Sequence, residues 1–228
     1  MTSRRPPVAA ILFDLDETLL DNTSGRMERY REAFGRVAAA TPGIEVDDLF
    51  RRYANLHREL ANPYDRLQRV LDELSLDPAV REHATAAAFD PSRMRLHSGA
   101  IELLEVLRAR YRLGLVTNGP SAFQRAKLTM FDLLPYFDGT AVISGEVGVA
   151  KPDPVIFELA AARVAARPGE IVFVGDDLML DVMGAAAAGF TTVWIRGRAG
   201  HAADSPADFQ VEHVTELPAV LLALEGER

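Results

Sequence analysis

Two carboxylates two residues apart, Asp14 and Asp16, close an apolar run that begins at Val8. Burying carboxylates without partners is costly, so such a pair calls for a cation, hydrogen bonds or a chemical task. An extended backbone repeats its side-chain direction every second residue, which would turn both acids the same way. A nucleophile beside a proton donor, or two ligands to a metal, could be built from that spacing. Polar residues follow three further apolar runs. They are Thr117-Asn118-Gly119, then Lys151 within Ala150-Lys151-Pro152-Asp153-Pro154, and Gly175-Asp176-Asp177 with Asp181 a turn beyond. Carboxylates, a hydroxyl, an amide and an ammonium group are thereby offered at successive strand ends.

The elements that must position these groups are legible as hydrophobic patterns. Buried strands are predicted over Val8–Phe13, Leu113–Thr117, Thr140–Ser144, Ile171–Gly175 and Thr191–Ile195, with a weaker sixth near Phe209–Val211. Helical patterns separate most of them, over Ala100–Arg110, Ser121–Phe131 with Ser121 as its cap, Pro154–Ala166, Leu178–Ala188 and Thr215–Leu224. Strand alternating with helix predicts an α/β fold, a parallel sheet with helices on both faces. Ligands of such sheets bind beyond the carboxyl ends of the strands, where the polar residues above fall.

One interval breaks the rhythm. Between the first and second strands the chain carries only helical patterns, from about Asn22 to Pro91, with breaks at Thr41-Pro42-Gly43, Asn62-Pro63 and Asp77-Pro78. A crossover needs far less chain than this. The expectation is an inserted all-helical subdomain over 22–91, within a core made of 1–21 and 92–228. Its mixed charges, Arg51-Arg52 among them, read as solvated faces.

Composition bounds the function. The chain has 228 residues, 48% of them hydrophobic, which is enough for a sizeable core. Its net charge of −8 argues against general binding to nucleic acid. There is no cysteine, so thiol chemistry is excluded and any metal must use oxygen or imidazole ligands. Met1 to Pro7 is short and basic without the apolar stretch of a signal peptide, and no segment approaches a bilayer span. A soluble cytoplasmic protein with no membrane partner, monomeric or homodimeric, is expected.

Four motifs, Asp14-Leu15-Asp16-Glu17-Thr18, Val116-Thr117-Asn118-Gly119, Lys151-Pro152-Asp153-Pro154 and Val174-Gly175-Asp176-Asp177 through Asp181, stand in this order after predicted strands. In that order, with a helical insertion after the first, the chain resembles the haloacid dehalogenase-like superfamily of phosphohydrolases over nearly its whole length. The resemblance implies a Rossmann-like, doubly wound core with a helical cap, and a Mg2+-dependent phosphatase of a small phosphomonoester. It implies that Asp14 attacks phosphorus to form an aspartyl-phosphate. Asp16 protonates the leaving alkoxide and then activates water. Thr117, Asn118 and Lys151 bind the phosphate. Mg2+ is held by the side chains of Asp14 and Asp176 and the backbone carbonyl of Asp16. Asp181 orients Lys151 or a metal water, while Asp177 stands where relatives carry Ser, Thr or Asn and is expected beside the metal ligands, as an alternative ligand or as an exposed loop acid. The cap is expected to close over the site and read the leaving group.

Asp16 separates branches of the resemblance, because a halide departs without a proton and an alkoxide does not. Dehalogenating members lack this second aspartate, so its presence favours a phosphatase. The stretch from Val174 to Ile195 is most similar to the branch of N-acylneuraminate-9-phosphatase and pyrimidine 5′-nucleotidases. A phosphotransferase or mutase remains the nearest chemical alternative, and a catalytically silent binding protein the non-enzymatic one. His97 and Trp194 are expected to be structural, and Arg58, Asn62 and Tyr64 to be surface residues around a turn.

Overall fold

The computed structural model describes residues 6–60, 62–196 and 205–226. Most of Met1 to Pro7 therefore lies outside the described residues. In chain order, β1 (Ala10–Phe13) and the two-residue β2 (Leu20–Asp21) precede four helices. These are α1 (Arg26–Ala40), α2 (Val46–Asn55), α3 (Pro63–Asp72) and α4 (Pro78–Ala88). β3 (Arg95–Leu96), α5 (Ala100–Arg108), β4 (Arg112–Thr117) and α6 (Ser121–Met130) follow. Then come α7 (Leu134–Phe137), β5 (Ala141–Ile143), α8 (Ser144–Val147), α9 (Pro154–Arg163) and β6 (Ile171–Gly175). A π-helical stretch over Leu178–Met183 runs into α10 (Gly184–Ala187), and β7 (Thr191–Ile195), β8 (Phe209–Val211) and α11 (Leu217–Gly226) close the fold.

Six strands form one parallel sheet in the order β5-β4-β1-β6-β7-β8. β1 is central, and all four of its residues are fully buried, which is why its sequence is continuously apolar. Its side chains alternate between the two faces. Ile11 and Phe13 join the core that includes Leu115, Val172 and Leu104, whereas Ala10 and Leu12 join that of Val116, Phe157 and Phe173. β2 and β3 pair antiparallel, Leu20 opposite Leu96, and bring the chain back beside its point of departure.

The chain divides into two compact units, Met1–Asp21 with Arg95–Arg228, and Asn22–Met94. The second is all-helical and returns three residues beyond Pro91. Tyr30, Phe34, Leu49, Leu67 and Leu71 build its own core. Two of the predicted breaks are helix starts: Asn62 and Asp77 cap α3 and α4 through their side chains, each followed by proline at the first helical position. Not every charge here is solvated. Arg29 is buried and donates to the carbonyls of Ala88, Ser24 and Asn22 and to Asn22 Oδ1, binding the start of this unit to the end of α4.

Two helix starts differ from expectation. Ser121 does not cap α6; its hydroxyl donates to Glu146 instead, and Pro120 occupies the cap position. Leu178–Ala188 is not one α-helix. The Asp177 carbonyl accepts from both Asp181 N and Val182 N, at 2.9 and 3.1 Å, and this wider winding continues to Met183.

Candidate active site

Asp14 follows β1 directly, and its N–H donates to the Val174 carbonyl of β6 at 2.9 Å. That bond fixes the register of the first acidic motif against the fourth. Lys151, from the loop before α9, reaches the same place: its ammonium donates to Asp14 Oδ1 at 2.5 Å and to Asp181 Oδ1 at 2.7 Å. All three side chains are buried. Burial works to lower the pKa of Lys151, but Asp14 and Asp181 outweigh it and hold the amine firmly protonated, above its ordinary range.

Asp181 arrives through the π-helical turn, a winding often found at functional sites. Its second oxygen accepts from the backbone N–H groups of Asp176 and Asp177, at 3.1 and 3.0 Å. One carboxylate therefore holds both the lysine and the loop that carries Asp176. Gly175 makes this possible, because a Cβ there would overlap the Asp181 carboxylate. Trp194 steadies the loop from β7, its indole N–H donating to the Asp176 carbonyl at 2.8 Å.

Asp14, Asp176 and Asp181 each offer a carboxylate oxygen, all within 4.8 Å of one another. One lysine does not balance three acids. Burial pushes the pKa of Asp14 up to about 7, the Lys151 charge opposes that, and Asp181 and Asp16 add to it. Burial pushes Asp176 to about 9, with Asp14 and Asp181 as further causes. A largely buried, all-oxygen cluster whose acids keep protons for want of positive charge fits a hard divalent cation such as Mg2+, which would take the place of those protons.

The two acids of the first motif have separate partners. Lys127 of α6 donates to both oxygens of Asp16, at 2.7 and 2.8 Å. Gln124, one turn earlier, shares its two amide N–H groups among Asp16 Oδ2 at 3.2 Å, Thr117 Oγ1 at 2.5 Å and the Asn118 carbonyl at 3.0 Å. The Asp16 side chain thus stands outside the acidic triad, leaving the backbone carbonyl as its expected metal contact. Neither Gln124 nor Lys127 is singled out by the sequence motifs. Their signal is a glutamine and a lysine three residues apart on the face of α6 that is otherwise apolar at Leu128.

The other expected residues sort as follows. Thr117 is buried at the end of β4; having accepted from Gln124, its hydroxyl keeps an O–H to donate. Asn118 is expected on the phosphate through its amide or its backbone; its side chain is engaged with Lys151, the amide donating to the Lys151 carbonyl at 3.0 Å and its oxygen accepting from the Lys151 N–H at 2.9 Å. Its amide therefore positions the lysine loop. Asp177, for which a place beside the metal ligands, a ligand role and an exposed loop acid are all open, caps the π-helical turn, accepting from Met179 N and Leu180 N at 2.8 and 2.9 Å. An acid directly before a helix has those N–H groups within reach, so the cap takes it out of the triad. His97 packs edge-on against His213, 5.5 Å between ring centroids. In the helical unit, Asn62 is a cap, and Tyr64 packs on Phe89 at 5.6 Å.

The sequence profile of haloacid dehalogenase-like hydrolases matches residues 8–189. The chain is 34% identical over 199 residues to the glyceraldehyde 3-phosphate phosphatase of Methanopyrus kandleri, covering 83% of this chain and 84% of that one. It is 32% identical over 198 residues to a pyrimidine 5′-nucleotidase of Escherichia coli, covering 81% and 84%. Among solved structures, a HAD phosphatase from Thermococcus onnurineus superposes with a TM-score of 0.79 at 31% identity, covering 94% of this chain and 98% of that one.

Proposed function

The chain belongs to the haloacid dehalogenase-like hydrolase family, and from that premise we propose that it is a Mg2+-dependent phosphomonoester hydrolase working through an aspartyl-phosphate on Asp14. The substrate class is a small phosphorylated metabolite, in keeping with relatives named for glyceraldehyde 3-phosphate and pyrimidine nucleotides. The observation that carries this reading is the Lys151 ammonium, bound to Asp14 and Asp181 in a buried site. A cation fixed against an acid at a strand end suits the meeting of a carboxylate nucleophile with a phosphate dianion.

Asp14 attacks phosphorus, and the P–O bond to the leaving group breaks. Asp16 gives the departing alkoxide a proton. It then takes one from the water that attacks the aspartyl-phosphate, so that inorganic phosphate leaves and Asp14 is restored. Lys151 and the Thr117 hydroxyl hold the non-transferred oxygens, and Asp181 and Asn118 keep Lys151 in position. Mg2+ would be held by Asp14, Asp176 and the Asp16 carbonyl, and when bound supplies the positive charge that lets two anions approach. The test is hydrolysis of a phosphomonoester panel with Mg2+ and with EDTA, alongside Asp14→Asn. Activity should require the metal and vanish in the variant, and acid quenching during turnover should trap phosphate on the wild-type protein alone. An Asp14→Asn protein as active as wild type would sink the mechanism.

A further inference from the structure

We propose that Lys127 and Gln124 of α6 are positioning residues for Asp16, and that the pair sets how well the protein expels poor leaving groups. The proposal rests on the reading of Asp16 as proton carrier. Lysine is almost never fully buried without a partner, yet Lys127 is only 3% exposed. The partner is Asp16, whose two oxygens both accept from the one ammonium. The stem of Lys127 passes through the interior of the catalytic unit to reach a carboxylate that is itself part-exposed. That is the geometry of a rigid arm holding a group at the edge of a site.

Gln124 makes the arm part of a frame. Its amide spans Asp16, Thr117 and the Asn118 carbonyl, so the proton carrier of the first motif is tied to the end of β4. Gly119 leaves room for this, since a Cβ there would press on the Gln124 side chain at 3.3 Å, and its φ of 141° is one that favours glycine. A carboxylate held at both oxygens by an ammonium and an amide cannot rotate freely about its terminal bond. The frame thus fixes where the proton is delivered relative to phosphorus. Displacement of a reacting group by about 1 Å can cost on the order of 100-fold in rate, so the frame should be felt in turnover.

The dependence on leaving group distinguishes positioning from mere support of the fold. Rates should be measured for an alkyl phosphate and an aryl phosphate in Lys127→Met, Lys127→Arg, Gln124→Leu, Asp16→Asn and the double variant Asp16→Asn/Lys127→Met. Lys127→Met should lose about 10- to 100-fold in kcat on the alkyl ester. It should lose several-fold less on the aryl ester, whose oxide departs with little protonation. Gln124→Leu should follow the same order with smaller losses. Lys127→Arg should recover part of the alkyl rate, because it keeps a cation in reach. The double variant should be no slower than Asp16→Asn alone, which reads the coupling even if Lys127→Met is less stable. Equal losses on both esters, or losses in the double variant that multiply, would overturn the proposal. If Asp16→Asn itself leaves alkyl ester turnover intact, the reading of Asp16 fails, and the proposal with it. If Asp16→Asn is impaired and Lys127→Met is not, only the positioning role fails.

Discussion

Lys151 decides the charge balance of the site, and Asp181 decides where Lys151 stands. Removing one member of a buried ion pair leaves the other uncompensated, at a cost of about 3–5 kcal/mol. Asp181→Ala leaves Lys151 paired with Asp14, so its loss by denaturant titration should fall below that scale, but it should lower activity severely, since Lys151 and the Asp176 loop lose the same anchor. Retention of both would show that Lys151 finds its place without Asp181. The acids also make stability depend on pH. Asp14 at about 7 and Asp176 at about 9 keep protons that the unfolded chain, near 3.8, gives up. Their contribution is full below about pH 4 and is lost as pH rises through 7 and then 9. Without metal, the melting temperature should therefore fall across this window. Mg2+ should raise it more at about pH 8 than at about pH 6, because fewer protons must be displaced. Equal increments would show that the cation does not compete with these protons. At this scale Asp14, Thr117, Lys151 and Asp176 were legible, as polar residues punctuating apolar runs. Lys127 was not, because a lysine on a helix reads as solvated until a partner 111 positions away is brought to it. The capping part of Asp177 was not legible, because a motif position says nothing of the free N–H groups beside it.

At the scale of elements, the strands were the most legible part. β6 and β7 coincide with their predicted ranges, since burial on both faces leaves a nearly continuous apolar run; β8, an edge strand with Gln210 exposed, gave the weaker signal. Asn-Pro and Asp-Pro pairs marked helix starts by mechanism, the acceptor capping and the proline opening. The π-helical turn left no comparable trace. It depends on Asp181 turning inward to the N–H groups of Asp176 and Asp177, a tertiary preference that overrides the helical pattern. The consequence can be tested at Gly175. Gly175→Ala must displace the Asp181 carboxylate or the loop, so both melting temperature and activity should drop, although the substitution adds one methyl group. Unchanged kinetics would mean that the turn relaxes around the methyl without disturbing Lys151.

At the scale of the molecule, the chain is two compact units, and the helical one has its own apolar cluster and the buried Arg29 anchor. A polypeptide spanning 22–94 should be helical by circular dichroism and melt cooperatively, and Arg29→Ala should weaken it by leaving buried carbonyls without donors. A featureless melt would show that the unit depends on the rest of the chain for its packing. Among the described residues no helix is long and apolar enough to cross a membrane. The whole chain also contains a single tryptophan, Trp194. Its indole N–H is bound to the backbone of Asp176, one of the three clustered acids. The protein therefore carries an optical probe wired to its own charge centre. A cation captured there should change the intrinsic emission in a saturable way, so occupancy could be followed in the untagged protein without turnover.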